Sequence, residues 1–179
     1  SECRFHEIEF TSFVSPKWVP QMADAEQVVD GIRRVDGTRY TAIYLNTQGL
    51  QRAVMTGKLD VEGSLSITAS EAFSKRNTNR TIDETFAETE KRIEGFERFS
   101  IRPHEVSVMA AFGCNYEGDI PPDHVVGLIA RLMDLGEQSG YDITMIQLAD
   151  TMGWANPEAI RRMVGKVQDR WPTRRINLH

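Results

Sequence analysis

Two carboxylates and a histidine stand at or just after the ends of separate apolar runs in this 179-residue sequence. Glu9 and Asp150 carry groups that can take up or release a proton, and His179 can act as a base or as a metal ligand. In β/α folds the functional side chains gather at the carboxyl ends of parallel strands. The placement of these three residues therefore predicts an enzyme.

Smaller polar side chains end or follow the same apolar runs. Ser12 closes the first run, and Asn46 follows the second. The stretch ASEAFSKRN follows the third run and supplies Ser70, Lys75 and Asn77. The cations in and just after this stretch suit a phosphorylated ligand. The composition of the stretch alone favours a solvated loop.

Each of the chemically interesting residues also has a plainer explanation. Glu9 fits a solvent-facing strand position, and Asp150 fits a turn of sequence Asp-Thr-Met-Gly. A single histidine such as His179 is often only an exposed side chain. The residues taken alone leave both explanations open.

The hydrophobic periodicity predicts the elements that would position these side chains. Six strands are predicted, at 5–11, 39–45, 59–68, 105–112, 142–149 and 174–179. Five helices are predicted between them, at 23–35, 47–57, 81–100, 121–140 and 157–172.

Local signals mark several ends of these helices. Asp24 is placed to cap the first helix, and Gly57 is placed to end the second. Thr81 and Glu84 match the capping-box spacing at the start of the third. Arg92 belongs to the face of that helix that we expect to be solvated.

The regular alternation of strands and helices predicts βαβ units and a parallel sheet. No Gly-x-Gly-x-x-Gly follows the first strand, so the sequence gives no support for a dinucleotide-binding fold. The pattern predicts an α/β protein that forms part of a (β/α)8 TIM barrel, a fold that typically takes about 250 residues. We expect one partial catalytic domain over residues 1–179, with both termini cut.

Composition narrows the class of protein. With 21 basic and 26 acidic side chains the net charge is −5, so a nucleic-acid partner is not expected. No apolar run approaches the roughly 18 residues that a membrane span needs, so no membrane span is expected. Cys3 and Cys114 lie far apart without metal-type spacing, which favours a reducing intracellular compartment.

Four stretches resemble the 3-hydroxy-3-methylglutaryl-CoA lyase family: IEFTSFVSPKWVPQMAD, ASEAFSKRN, FGCNYEG and ADTMGWANP. The resemblance runs along nearly the whole chain and implies the second to seventh strands of a TIM barrel of the pyruvate-carboxyltransferase-like type. It implies cleavage of the hydroxymethylglutaryl thioester to acetyl-CoA and acetoacetate. It also implies an acyl-CoA substrate and a divalent cation, Mg²⁺ or Mn²⁺, as cofactor.

The resemblance assigns a role to each candidate residue. Glu9 and Asp150 match catalytic positions, and His179 matches the first histidine of a His-x-His metal pair. Cys114 matches a structural position. The positions implied to bind substrate are Ser12, Asn46, Ser70, Lys75 and Asn77.

Some parts of the family pattern are missing or altered. The Arg-Asp-Gly signature of the first barrel strand and the second metal histidine are absent, so this chain alone is expected to be inactive. Ala149 and Asn115 stand where the family usually has Gly and Pro, which leaves open a related lyase acting on another 3-hydroxyacyl-CoA. An inactive fragment that serves only as a scaffold is the remaining alternative.

The family also implies a homodimer and a location in the bacterial cytoplasm or the mitochondrial matrix. One stretch, SPKWVP, carries a further structural expectation. Pro16 and Pro20 would stiffen its path, and Trp18 would anchor it by burying a large ring.

Overall fold

The computed structural model describes residues 5–179, so Cys3 lies outside the described residues. Two compact units make up this part of the chain. Unit 1 comprises the described residues up to Glu62 together with Glu94–Ile101, and unit 2 comprises Gly63–Ile93 and Arg102–His179. Within 5–179 no helix is both long and apolar enough to cross a membrane. The expectation of a single domain over residues 1–179 stays a prediction.

All six predicted strands are present. The structure adds a short hairpin made of two strands of two residues each. The bounds are β1 Glu7–Ser12, β2 Arg39–Ile43, β3 Ser64–Thr68, β4 Glu105–Met109, β5 Gly113–Cys114, β6 Gly118–Asp119, β7 Met145–Leu148 and β8 Arg175–Leu178. In unit 1, β1 pairs with β2 in parallel. In unit 2, the order β3-β4-β7-β8 is parallel throughout, and β5 pairs with β6 in antiparallel fashion. The predicted parallel βα organisation is confirmed.

The third predicted strand was placed too early, because it begins at Ser64 and not at residue 59. The residues before it bond to β2 instead. The Asp60 backbone N–H donates to the Tyr40 carbonyl at 2.8 Å, and the Asp60 carboxylate accepts from the Tyr40 N–H at 2.8 Å. These two bonds hold the segment outside the ladder of β3.

The five predicted helices are present, and the described chain adds one more. The bounds are α1 Ala25–Asp30, α2 Thr47–Met55, α3 Glu71–Thr78, α4 Ile82–Arg98, α5 Pro122–Gln138 and α6 Pro157–Arg170. A single 3₁₀ turn, Pro20–Met22, precedes α1. As predicted, the chain leaves α2 before Gly57, which has a φ of 63°.

The first helix is much shorter than predicted, and Asp24 does not cap it. The Asp24 side chain makes no capping hydrogen bond, and α1 ends at Asp30. The residues after α1 make hydrogen bonds to side chains and segments distant in sequence, which hydrophobic periodicity does not predict. Arg34 donates to the Asp60 carboxylate at 2.7 and 3.1 Å, and the next backbone N–H donates to the Tyr40 hydroxyl at 3.2 Å.

Helix α3 occupies the stretch for which the composition favours a solvated loop. Ser70 caps it by accepting the Phe73 N–H at 3.0 Å, and Asn79 ends it in the left-handed region with φ of 56°. Both are preferred residues at those positions. The two ends therefore stabilise a helix whose Ser, Asn and Thr residues have low propensity.

The capping box at the start of α4 is confirmed. Thr81 Oγ1 accepts from the Glu84 N–H at 3.0 Å, and Glu84 accepts from the Thr81 N–H at 2.6 Å. The expectation of a solvated Arg92 was wrong, since only 4% of this residue is exposed. It donates to the Thr89 hydroxyl at 2.8 Å and to the Ser66 hydroxyl at 3.2 Å. These hydroxyl acceptors allow the guanidinium to be buried.

Each unit has its own apolar core. In unit 1, helices α1 and α2 pack against the segments around β1 and β2, with Phe13, Val29 and Ala53 at the centre. In unit 2, α5 packs on β3 and β4. The fully buried residues of its parallel strands are Leu65, Ile67, Val106, Val108, Ile146 and Leu148.

Candidate active site

Phe10 is the extra residue of a β-bulge in β1. Glu9 pairs with Thr41, whereas Thr11, two residues later, pairs with Ala42, the very next residue of β2. A bulge residue has no partner opposite it, and the side chains that follow change face relative to a regular strand. The bulge therefore alters which polar side chains of β1 lie together.

As a result, Ser12 lies on the same face as Glu9. Ser12 pairs with Ile43, which shares a face of β2 with Thr41, the partner of Glu9. Ala42 lies on the opposite face and packs against the core of unit 1. Glu9 and Ser12 thus face away from that core, and Glu9 is exposed.

The segment after β1 is held by Arg52 and not by Trp18. Trp18 is 78% exposed, so the expectation that its ring is buried was wrong. Arg52 of α2 donates to the Val14 carbonyl at 3.1 Å, and its guanidinium lies 5.4 Å from the centre of the Phe13 ring. The buried ring that anchors the segment is that of Phe13.

The same guanidinium forms a two-pronged ion pair with α1. Arg52 Nε and Nη2 donate to the two carboxylate oxygens of Glu26 at 2.6 and 2.8 Å. These hydrogen bonds hold the pKa of the Glu26 carboxyl below its usual range, although partial burial acts in the opposite direction. One side chain therefore connects α1, α2 and the segment that follows β1.

Asn46 begins α2 as its N-cap. Its Oδ1 accepts the Gly49 N–H at 2.8 Å. Gly49 lies so close to the Phe13 carbonyl that a Cβ at this position would be 2.6 Å from the oxygen. Asn46 therefore has a role in the fold, and its amide nitrogen is the group left to meet a ligand.

A cavity of about 420 Å³ lies between the segment after β1 and the first turn of α2. Its lining includes Ser15, Asn46 and Arg52, but neither Glu9 nor Ser12. Of the residues predicted to bind substrate, unit 1 thus places Asn46 at a cavity, whereas Ser12 is only 9% exposed, on the face of β1 opposite the core of unit 1.

In unit 2, Asp150 and His179 lie together at the carboxyl ends of β7 and β8. The Asp150 N–H donates to the His179 carbonyl at 2.8 Å, and the His179 N–H donates to the Leu148 carbonyl at 3.1 Å. The backbone ladder therefore places Asp150 next to His179 at this end of the sheet.

The Asp150 carboxylate is held in a fixed orientation by the loop that follows it. One oxygen accepts the Trp154 N–H at 2.8 Å, and the other accepts the Ala155 N–H at 2.9 Å. The Trp154 indole in turn donates to Asn115 at 2.7 Å. Each carboxylate oxygen retains a further lone pair for a proton or a ligand.

Ser70 is buried, and its hydroxyl is engaged in the fold. Besides capping α3, its Oγ donates to the sulfur of Cys114 at 2.9 Å, and neither residue is exposed. Cys114 forms no disulfide among residues 5–179. Ligand binding by Ser70 stays a prediction.

Lys75 and Asn77 lie exposed on α3 rather than in a loop. The Lys75 ammonium lies 3.4 Å from the Glu84 carboxylate. Beside it, the Arg76 guanidinium lies 4.3 Å from the centre of the Tyr116 ring. The helix therefore presents its cations to solvent, where a negatively charged ligand could reach them.

A metal ion would need ligands beyond those that stand together here. Residues 5–179 contain no group of three or more His, Cys, Asp and Glu side chains placed to hold one. Divalent cations need several ligands in a fixed geometry, and His179 alone does not satisfy this.

Comparison with known proteins decides the family. The HMGL-like family model matches residues 1–179, the whole chain. This chain belongs to the HMGL-like family. The cytoplasmic 3-hydroxy-3-methylglutaryl-CoA lyase of Rattus norvegicus is 38% identical over 172 residues, which are 96% of this chain and 48% of that protein. The chain thus spans about half the length of the curated relatives it matches.

Solved structures give the same result. The match to the HMG-CoA lyase of Brucella melitensis covers 99% of this HMGL-like chain and 60% of that protein, with a TM-score of 0.83 and 33% identity. An HMG-CoA lyase of Acinetobacter baumannii was solved with coenzyme A and 3-methylmalate. The match covers 98% of this chain and 54% of that protein, with a TM-score of 0.80 and 32% identity. The fold is that of part of a TIM barrel, as predicted.

Sequence reasoning missed three features of this HMGL-like chain that shape the candidate site: the bulge at Phe10, the role of Arg52 and the cap at Ser70. The stretch EIEFTS gives no sign that Phe10 is a bulge residue, because every position in it fits a regular strand. Arg52 stands on a short helix and shows its role only through Val14 and Glu26, which are distant in sequence. Only the cap at Ser70 had a local signal, a serine placed directly before helix-compatible residues.

Proposed function

We propose that the protein carrying these residues is a hydroxymethylglutaryl-CoA lyase, which cleaves 3-hydroxy-3-methylglutaryl-CoA to acetyl-CoA and acetoacetate. The observation that carries the proposal is the match of the HMGL-like family model to residues 1–179. The pairing of Asp150 with His179 at the ends of β7 and β8 supports it, since catalytic residues of TIM barrels lie at this end of the strands.

The chemistry is a retro-aldol cleavage. A base takes the proton of the tertiary hydroxyl, the bond between C2 and C3 breaks, and the hydroxyl carbon becomes the ketone of acetoacetate. The electron pair of the broken bond forms the enolate of acetyl-CoA, which an acid protonates. Glu9 and Asp150 are the proposed acid–base residues, and Ser12, Asn46, Ser70, Lys75 and Asn77 are the proposed substrate-binding residues.

Of these groups, Asp150 is the better supported as a residue of the reaction. Its two hydrogen bonds from Trp154 and Ala155 fix the direction of the carboxylate without using all its acceptor capacity. A fixed carboxylate loses little conformational entropy when it meets the reacting hydroxyl. Glu9 is supported by its own exposure and by its position on the same face of β1 as Ser12.

A divalent cation, Mg²⁺ or Mn²⁺, is part of the proposal, with His179 as one ligand. Such an ion would stabilise the negative charge on the substrate oxygens. Because no group of three suitable side chains stands together in the described residues, Mn²⁺ titrated into the isolated 1–179 chain is expected to bind weakly. Tight binding would contradict the proposed ligand set.

A related lyase acting on another 3-hydroxyacyl-CoA is the second candidate. Ala149 and Asn115 replace the Gly and Pro usual in the family, and Asn115 bonds to Trp154 in the loop that holds Asp150. The A. baumannii relative was solved with coenzyme A and 3-methylmalate, which supports a coenzyme A thioester as the substrate class in either case.

A panel of thioesters separates the two candidates. The full-length protein is incubated with 3-hydroxy-3-methylglutaryl-CoA and with other 3-hydroxyacyl-CoA thioesters, and kcat/KM is measured for each. The proposal predicts the highest value for the hydroxymethylglutaryl thioester. Turnover of another thioester with none of this one would establish the second candidate. No turnover of any member would favour a scaffold role.

We further propose a homodimer and a location in a bacterial cytoplasm or a mitochondrial matrix. Both rest on similarity to the family, which includes a bacterial lyase of Brucella melitensis and a mitochondrial lyase of Bos taurus. Light scattering of the purified full-length protein tests the first, since a dimer should show twice the chain mass. Fractionation of the source cells tests the second.

A further inference from the structure

Four polar side chains form a row across the sheet of unit 2. Ser66 of β3 pairs with Ser107 of β4, Ser107 pairs with Gln147 of β7, and Gln147 pairs with Asn177 of β8. The register is unbroken, so all four side chains lie at one level of the sheet and on one face.

Hydrogen bonds connect three members of this row in one direction. The Asn177 amide nitrogen donates to Gln147 Oε1 at 2.9 Å, and the Gln147 amide nitrogen donates to the Ser107 hydroxyl at 3.2 Å. Each amide nitrogen carries a second N–H beyond the one used in the row. Ser107, Gln147 and Asn177 therefore form an ordered set of neutral donors.

The row faces away from α5, although Ser66 at its first position accepts a hydrogen bond from Arg92 of α4. On β3, β4 and β7 its neighbours, such as Val106 and Ile146, are fully buried, and α5 packs on that side of β3 and β4. Side chains alternate between the two faces of a strand. The row therefore faces what is the interior of a TIM barrel, a region usually filled by Val, Ile and Leu.

The candidate site lies one level above the row. Asn177 and His179 stand two residues apart on β8, so their side chains share a face and are separated by about 6.6 Å along the strand. Gln147 stands at the same level as Asn177, three residues before Asp150. A small acyl group held beside His179 would reach the row with its far end.

We propose that Ser107, Gln147 and Asn177 are specificity-determining residues that bind the terminal carboxylate of the acyl group. This rests on the proposed function for its reaction. The spare amide N–H groups and the hydroxyl would donate to the carboxylate, and hydrogen bonds to an ionised acceptor are about twice as strong as those between neutral groups. An apolar end group would leave these polar groups unpaired and is disfavoured.

Two thioesters and two variants test the proposal in the full-length protein. The substrates are 3-hydroxy-3-methylglutaryl-CoA and 3-hydroxy-3-methylpentanoyl-CoA, in which a methyl group replaces the carboxylate. Wild type should favour the acidic thioester in kcat/KM. Gln147→Leu should reduce that preference about tenfold or more. Gln147→Glu should reduce it further by repelling the carboxylate, while the neutral thioester is little affected.

Gln138→Leu, at the exposed end of α5, is the matched control and should leave the preference unchanged. If Gln147 only supported the sheet, both variants would lower the rates for both thioesters equally, and that result would overturn the proposal. An unchanged preference in folded variants would overturn it as well.

If the proposed reaction itself is wrong, wild type will cleave neither thioester, a result distinct from an altered preference between them. Calorimetric affinities for the two thioesters then replace the rates. A preference for the acidic thioester that both variants weaken would support the row as its binding site. Equal affinities in wild type would reject it.

Discussion

Glu9 and Ser12 share one face of β1 although they stand three residues apart, a separation that would place them on opposite faces of a regular strand. The bulge at Phe10 is the cause, and bulges recur next to active sites because they change the direction of a side chain. The carboxylate and the hydroxyl thereby lie on the side of β1 opposite the core of unit 1, where Glu9 is exposed and Ser12 is buried.

Glu9→Gln tests the catalytic role of the carboxylate. The amide keeps the size of the side chain but cannot take up a proton, so kcat of the full-length enzyme should fall by about 100-fold or more. Glu90→Gln on the exposed side of α4 is the control and should leave kcat unchanged. Equal kcat values for the two variants would remove Glu9 from the reaction.

Arg52→Lys tests the connection between α1, α2 and the segment after β1. Lysine keeps the charge but cannot form the two-pronged pair with Glu26 while also donating to Val14. Because solvent reaches both side chains of the pair, 45% of Glu26 and 23% of Arg52, the loss of unfolding free energy should be modest, about 1 kcal/mol. Chemical denaturation measures it. Arg161→Lys, whose ion pair to Glu158 lies on the surface of α6, should change stability less.

The Glu26 carboxylate predicts a pH dependence of stability. Its pKa is lower in the folded chain than in the unfolded one, because Arg52 donates hydrogen bonds to the ionised form. The resulting stabilisation is complete above the unfolded-state pKa of about 4.3 and is lost as pH falls through the folded-state value. Glu26→Gln should therefore lower stability at neutral pH and have little effect in strong acid. Denaturation curves at several pH values check this, and a difference that does not change with pH would contradict it.

Trp18 and Phe13 should differ sharply in their contribution to stability. Trp18 is largely exposed, so Trp18→Ala should change the free energy of unfolding by no more than about 0.5 kcal/mol. Phe13 is 2% exposed in the core of unit 1, and Phe13→Ala should cost about 3 kcal/mol or more. A larger loss from Trp18→Ala than from Phe13→Ala would show that the Trp18 ring is covered in the full-length protein.

The sequence predicted those features that depend on local patterns. The alternation of apolar runs located all six parallel strands, and the spacing of Thr81 and Glu84 located the start of α4. Helix α3 was missed because its internal residues favour a loop, and its end residues Ser70 and Asn79 stabilise it.

The candidate site was predictable in its residue types but not in its arrangement. Polar strand ends identified Asp150 and His179, which the β7–β8 ladder places together. The bulge at Phe10 depends on how β1 pairs with β2, and the role of Arg52 depends on partners distant in sequence. Pairing register and long-range side-chain contacts are tertiary properties, which a strand or helix pattern does not encode.

The identity and ratio of the reaction products test the central claim most directly. The full-length protein is incubated with 3-hydroxy-3-methylglutaryl-CoA, and acetyl-CoA and acetoacetate are quantified in the same sample. We predict one molecule of each per thioester consumed, with the rate strongly reduced in Asp150→Asn. Consumption that releases free coenzyme A without acetoacetate, or no consumption by the folded wild type, would contradict the assignment.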